Sequence, residues 1–399
     1  MRTLSWMWLA GALSFAPVAC GGNVIRSSPD TDSGVTQPLS DSGGGVDSPV
    51  SPLDSGTVAD GGAMADAGGG PISAPKDTWT WVPFNDALCM NGTPTGIGVN
   101  PTTRSDKLAI FLMGGGACWD SITVAIGVCS NINGYGAANA AADFTSYGTV
   151  GMFNRNDPDN PFKDYSYVFV PYCTGDVHAG DNDKAADGQM HVGYRNVAAY
   201  LKRIVPTWPH PSLLALTGAS AGGLGVLVNM PQVSEAFGPS VPMIALDDAA
   251  IVMSPQYLKP SLQQATDAAW LYSKHLPADC PNLKVGALHE IYACLAQKYP
   301  KVRLGLYGTQ ADGTMRSFYG YGYGVGVQMP AADYQAGLDD VSANLISPFP
   351  WMHNYWAPGT SHTFLGQDPL GQTVVSGVKI TDWLRGLIDG TSAFKNVHP

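Results

Sequence analysis

The segment Gly218-Ala219-Ser220-Ala221-Gly222 sets a serine among small residues, after the apolar run 212–217 and before the helical stretch 221–230. A strand that enters a helix through such a turn exposes the serine hydroxyl, and the small neighbours admit the sharp bend. The helix N-terminus aims backbone N–H groups at any oxyanion formed beside that hydroxyl. The chemistry predicted is nucleophilic attack on a carbonyl through a covalent acyl intermediate. An ordinary strand-to-helix turn would need the glycines but not the serine.

A nucleophilic serine needs a base, and the base needs an orienting acid. Of eight histidines, His178, His191 and His210 precede Ser220, His275 and His289 fall in helical stretches, and His398 is next to the last residue. His353 and His362 remain. His362, in Gly359-Thr360-Ser361-His362-Thr363 ahead of the last helical stretch, is expected as the base. His353, in Pro350-Trp351-Met352-His353-Asn354-Tyr355-Trp356, is expected in a pocket wall. The acid is expected at Asp312, in the loop after the apolar run 302–307; Asp247 or Asp248, after the run 241–246, is the rival. The loop Met113-Gly114-Gly115-Gly116-Ala117-Cys118-Trp119 suits a second oxyanion donor, because glycines let the backbone approach a substrate closely.

The elements that must hold these residues alternate. Short apolar runs at 107–113, 165–172, 212–217, 241–246 and 302–307 predict strands. Helical spacing is expected over 194–205, 221–230, 255–272, 283–299, 331–345 and 377–388. Continuous apolar strands between helices predict an α/β fold, a mostly parallel sheet covered on both faces, with long loops. No repeat interrupts it, and residues 76–399 suit one domain.

Six cysteines lie in this body, with no C-x-x-C pair and no zinc-type spacing. Short loops favour Cys118–Cys129 and Cys280–Cys294, leaving Cys89–Cys173. No metal site is expected. The acidic stretch 181–188 has Ala185 where a calcium loop needs a ligand, so it reads as a polar loop. Asp176 and His178 are expected to be structural. The aromatics Phe318, Tyr319, Tyr321, Tyr323, Trp351, Tyr355 and Trp356 could stack on sugar rings or pack the core.

The N-terminus reads as an export signal. Arg2 precedes an apolar stretch over 4–18, short for a membrane span, and Pro17-Val18-Ala19-Cys20-Gly21 resembles a bacterial lipobox with Cys20 as the lipidation site. Pro17 departs from the usual Leu; ordinary secretion and an uncleaved anchor are the alternatives. Gly, Ser, Pro and Asp supply 34 of the 55 residues over 21–75, with no aromatic, which predicts a disordered tether. Seven Asp against Arg26 give that tether −6 of the total −11. With 21 Lys and Arg against 32 acids and no basic run, a nucleic-acid partner is excluded. The expected location is extracytoplasmic, on a bacterial cell surface or outer membrane, with the membrane touched only through the lipid anchor.

Taken together, the motifs resemble the pectin acetylesterases and the related Notum carboxylesterases of the α/β-hydrolase superfamily. Phe111-Leu112-Met113-Gly114-Gly115-Gly116-Ala117-Cys118 is similar to that family's Gly-Gly-Gly-Trp-Cys segment, with Ala117 in place of Trp and Met113 in place of Glu. The stretch from Val170 to Asp181 is similar to its Tyr-Cys-x-x-Asp-Val loop, and Gly218 to Gly223 to its Gly-x-Ser-Ala-Gly-Gly elbow. The resemblance runs over 79–390. It implies Ser220 as nucleophile, His362 as base, Asp312 as orienting acid, and Gly115, Gly116 and Ala221 as oxyanion donors. It implies two-step hydrolysis of an acetyl ester on a polysaccharide such as pectin by a monomer, without cofactor. Hydrolysis of longer acyl chains or polyesters, and a non-catalytic cell-surface binding protein, are the alternatives.

Overall fold

The computed structural model describes residues 70–399. The export signal, Cys20 and nearly all of the tether lie outside the described residues. Residues 70–75, read from composition as the end of that tether, lie against the body: Ile72 is buried, its N–H donates to Thr207 Oγ1 at 2.7 Å, and the Gly70 carbonyl accepts from Arg203 Nε at 3.0 Å.

The elements run β1 (Thr80–Leu88), β2 (Pro94–Asn100), β3 (Leu108–Leu112), α1 (Ser121–Ala125), α2 (Ala137–Ser146), β4 (Ser166–Val170), α3 (Gly193–Thr207), β5 (Leu214–Ala219) and α4 (Ala221–Phe237). Then come β6 (Met243–Asp248), α5 (Pro260–Trp270), α6 (Ile291–Lys298), β7 (Arg303–Thr309), α7 (Gly313–Gly320), α8 (Ala331–Asp340), β8 (Met352–Ala357), the short pair β9 (Val374–Val375) and β10 (Val378–Lys379), and α9 (Ile380–Asp389). Eight strands form one sheet in the order β1-β2-β4-β3-β5-β6-β7-β8. From β4 to β8 all neighbours are parallel, and β1 and β2 add an antiparallel edge. This is the mostly parallel, α/β-hydrolase-like sheet expected.

Alternation along each strand feeds two cores. Leu108, Ile110 and Leu112 of β3 pack on the face carrying Val197 and Leu201 of α3 and Val226, Leu227 and Met230 of α4. Ala109 and Phe111 point the other way, toward Trp383, Leu384 and Leu387 of α9. A strand buried on both faces reads as one continuous apolar run, which is why β3 to β7 are visible in the sequence.

Two expected helices are shorter than their apolar spacing. The stretch 255–272 becomes helical only at α5, where Pro260 takes the first turn. The stretch 283–299 is helical as α6 only from Ile291, because Gly286 at φ +88° breaks the path before it. The three disulfides pair as expected: Cys89–Cys173, Cys118–Cys129 and Cys280–Cys294. Among the described residues, no helix is long and apolar enough to cross a membrane.

Candidate active site

Ser220 sits between β5 and α4 with φ +57° and ψ −125°, a conformation a non-glycine residue adopts only when its surroundings impose it. The imposition is visible. Its N–H donates to the Asp248 carbonyl at 2.7 Å, and the Gly223 N–H donates to its own carbonyl at 2.7 Å. A Cβ at Gly222 would collide with the Leu112 carbonyl of β3, so only glycine lets the elbow close onto that strand.

The loop after β3 packs directly against this elbow. A Cβ at Gly114 would meet Ser220 Cβ at 2.8 Å. Gly116 has φ +76°, and a Cβ there would drive into the Val128 carbonyl. Among the described residues, the N–H groups of Gly115, Gly116 and Ala221 donate to no backbone or side-chain acceptor in this fold, so they are free to receive an oxyanion. The loop is held from outside. His178 Nε2 donates to the Met113 carbonyl at 2.8 Å, Trp270 Nε1 donates to the Cys118 carbonyl at 2.7 Å, and Cys118–Cys129 closes the loop. Burial holds the His178 imidazole below its ordinary pKa, in the neutral form that keeps one N–H for that bond. Val177 and His178 both lie at positive φ, +53° and +58°, so this support is itself strained. Asp176 fixes it by accepting from the N–H groups of His178 and Gly193 at 3.1 and 2.7 Å. The structural role expected of Asp176 and His178 is the one observed.

His362 and Asp312 come together although fifty residues separate them. His362 Nδ1 lies 2.8 Å from Asp312 Oδ2, while Asp312 Oδ1 accepts the Met315 N–H and caps α7. Asp312 is fully buried. The two loops are stitched by Thr309 Oγ1 donating to the Ser361 carbonyl at 2.6 Å and by Ala311 N–H donating to the Gly359 carbonyl at 3.0 Å. His362 Nε2 is buried and has no hydrogen-bond partner among the described residues, so the bond from Ser220 Oγ is not made in this state. Catalytic contacts of this kind often tighten only with substrate in place.

The rival acids do other work. Asp247 Oδ1 accepts the Ala250 N–H at 2.9 Å and shapes the turn after β6; burial pushes its carboxyl up to about 8. Asp248 accepts the N–H groups of Phe364 and Leu365, each at 2.9 Å to Oδ2. Burial pushes its carboxyl up to about 7, against those N–H groups and the nearby His362. Neither takes the imidazole Nδ1.

His353 is not a pocket residue. It sits on the edge strand β8, with Nδ1 3.0 Å from Asn396 Oδ1 and its ring edge-on to Phe394. Tyr355 and Trp356 on the same strand are buried in the two cores, not displayed for a ligand. The expected aromatic face therefore divides: Phe318 and Tyr319 line the pocket, and Tyr321 meets Trp119 edge-on at 5.0 Å.

That pocket is a cavity of about 110 Å³ with Gly116, Ser220 and Ala221 in its wall. Leu224 and Val228 of α4 form one side, Leu262 and Trp270 of α5 another, and Met315 and Phe318 of α7 a third. Almost every lining group is apolar. Its walls come from segments far apart in sequence, so spacing alone gave no sign of it. The acids of the 181–188 loop stand apart, paired with Arg195, His275 and His191.

The family model described as Pectinacetylesterase matches residues 80–283, half of the chain. The chain belongs to that family. The matched stretch contains the glycine loop after β3 and the Ser220 elbow and ends before Asp312 and His362. Among curated proteins, the chain is 30% identical over 179 residues to palmitoleoyl-protein carboxylesterase notum2 of Xenopus laevis, covering 43% of this chain and 36% of that protein. It is 27% identical over 152 residues to palmitoleoyl-protein carboxylesterase NOTUM of Homo sapiens, covering 37% and 30%. It is also 28% identical over 113 residues to a Danio rerio protein named inactive palmitoleoyl-protein carboxylesterase notum1b, 28% of this chain and 78% of that one. The matches thus span about a third of the length of the first two relatives. Family membership supports ester hydrolysis as the general reaction.

The glycine loop after β3 offers a direct check of the expected oxyanion role. Gly116→Ala is expected to displace the loop, because the added methyl meets the Val128 carbonyl at a positive φ. Losing one oxyanion donor costs roughly 10²–10³-fold in kcat. Steady-state kinetics on a chromogenic ester, beside a circular-dichroism spectrum matching wild type, measures this; an unchanged kcat would remove Gly116 from the oxyanion hole.

Proposed function

We propose that the protein is a serine carboxylesterase that accepts acyl chains well beyond acetyl. Ser220 is the nucleophile, His362 the general base and then acid, Asp312 the orienting carboxylate, and Gly115, Gly116 and Ala221 the oxyanion donors. The bond from His362 Nδ1–H to Asp312 leaves the Nε2 lone pair to take the Ser220 proton as Oγ attacks the ester carbonyl. The alcohol leaves with that proton, and water attacks the acyl-enzyme by the same route in reverse. No step needs a metal or cofactor.

The observation that carries the chain-length reading is the apolar cavity reaching to Ser220 and the oxyanion loop. An acetyl group would leave most of it unfilled, whereas a longer chain buries methylenes there. Each buried methylene contributes about 0.8 kcal/mol, or roughly fourfold in kcat/KM. Across p-nitrophenyl acetate, butyrate, hexanoate and octanoate, kcat/KM is expected to rise by that factor per methylene until the cavity is full. Acetate as the best substrate would return the function to the second reading, deacetylation of a polysaccharide, which the family's own description favours. A non-catalytic binding role is disfavoured by the strained Ser220 elbow and by the Asp312–His362 pair.

A further inference from the structure

Asp248 touches both halves of the site. It ends β6 next to the elbow strand β5 and is fully buried. Its main-chain carbonyl accepts the Ser220 N–H at 2.7 Å. Its side chain accepts the N–H groups of Phe364 and Leu365, the second and third residues after His362. These are separate loops, and apart from Asp248 they answer to different supports: the elbow to α4, the histidine loop to β7 and the α7 cap.

We propose that Asp248 is a positioning residue that clamps the nucleophile elbow to the histidine loop and so sets the spacing between Ser220 Oγ and His362 Nε2. For its effect on turnover this rests on the serine-esterase reading above. The clamp needs a buried acceptor, not a charge. Oδ2 receives both N–H groups at 2.9 Å and Oδ1 only shares the Phe364 N–H at 3.1 Å, so an amide oxygen in the Oδ2 place keeps the two shorter bonds. Losing the side chain leaves two buried donors without partners, and the loop moves to find water. Because the loop carries the base, the movement acts on the chemical step and not on the cavity that binds the acyl chain.

The test compares Asp248→Ala with Asp248→Asn in the full chain, with active serine titrated by a fluorophosphonate so that kcat is counted per competent site. D248A is expected to lose about 100-fold in kcat with KM within twofold, the cost of displacing a catalytic group by about an ångström. D248N keeps the acceptor and is expected to stay within about threefold of wild type. Independently of turnover, the Phe364 and Leu365 amides of the unaltered protein should exchange hydrogen at least about tenfold more slowly than those of Thr360 and Ser361. A folded D248A within threefold of wild type overturns the clamp. So does D248N as slow as D248A, which would make charge the active property. If D248A does not fold, exchange decides: Phe364 and Leu365 amides as fast as Thr360 and Ser361 overturn the proposal. Undiminished turnover in Ser220→Ala sinks the esterase reading instead, and leaves the exchange result standing.

Discussion

Ser220→Ala is expected to lower kcat/KM on a chromogenic ester by about 10⁴-fold or more, with the thermal unfolding midpoint unchanged. The size follows from the role. Without the hydroxyl no acyl-enzyme forms, and only the oxyanion donors and the cavity still favour attack by water. The unchanged stability follows from position. The Ser220 Oγ makes no hydrogen bond among the described residues, while the backbone bonds that hold its strained φ come from its own N–H and carbonyl. Alanine can keep both. A rapid burst of p-nitrophenol in wild type, absent in the variant, is the measurement. A burst of equal size in both would remove Ser220 from the mechanism.

Asp312→Asn is the second large effect, expected at about 10⁴-fold in kcat, as in other Ser-His-Asp sites. The amide presents an N–H where the carboxylate presented an oxygen. His362 Nδ1 must then accept, which moves the ring proton to Nε2, the atom required to receive the Ser220 proton. The fold should survive, because the α7 cap uses the other oxygen, Oδ1, on Met315 N–H. The measurement is kcat beside the unfolding midpoint. D312N with near-normal turnover would reassign the acid.

The site was partly legible because part of it is local. The elbow is a contiguous pentapeptide between a doubly buried strand and a helix, so its glycines and its flanking pattern sit side by side in the chain. Cys118–Cys129 and Cys280–Cys294 close loops of 11 and 14 residues, short enough to favour those pairs. Asp312 and His362 follow from the order in which strands reach the same edge of a parallel sheet. The rest depends on contacts that leave no local trace. β1 is partly exposed along its length, and β2, although buried from Thr95 to Asn100, is built of Thr, Gly and Asn beside only two aliphatics, so neither shows the continuous apolar run that marks β3 to β7. His353, expected in a pocket wall, lies on the edge strand β8, whose Tyr355 and Trp356 spend their aromatic surface on its two faces. Asp248 was legible as an acid but not as a clamp, since its partners are main-chain N–H groups 116 and 117 residues away that any residue type could supply.

The disulfides stand in a telling relation to the chemistry. The elbow, Asp312 and His362 contain no cysteine and lie on a sheet that its own apolar faces hold together. The parts that do depend on bridges are the oxyanion loop, closed by Cys118–Cys129; the loop bearing Val177, anchored by Cys89–Cys173; and the cavity wall near Ile291, tied by Cys280–Cys294. In a reducing compartment the scaffold and its nucleophile can assemble while the surfaces that stabilise the transition state stay loose. An esterase built this way would be incomplete until its cysteines pair, so its activity would follow the redox state of the compartment that holds it.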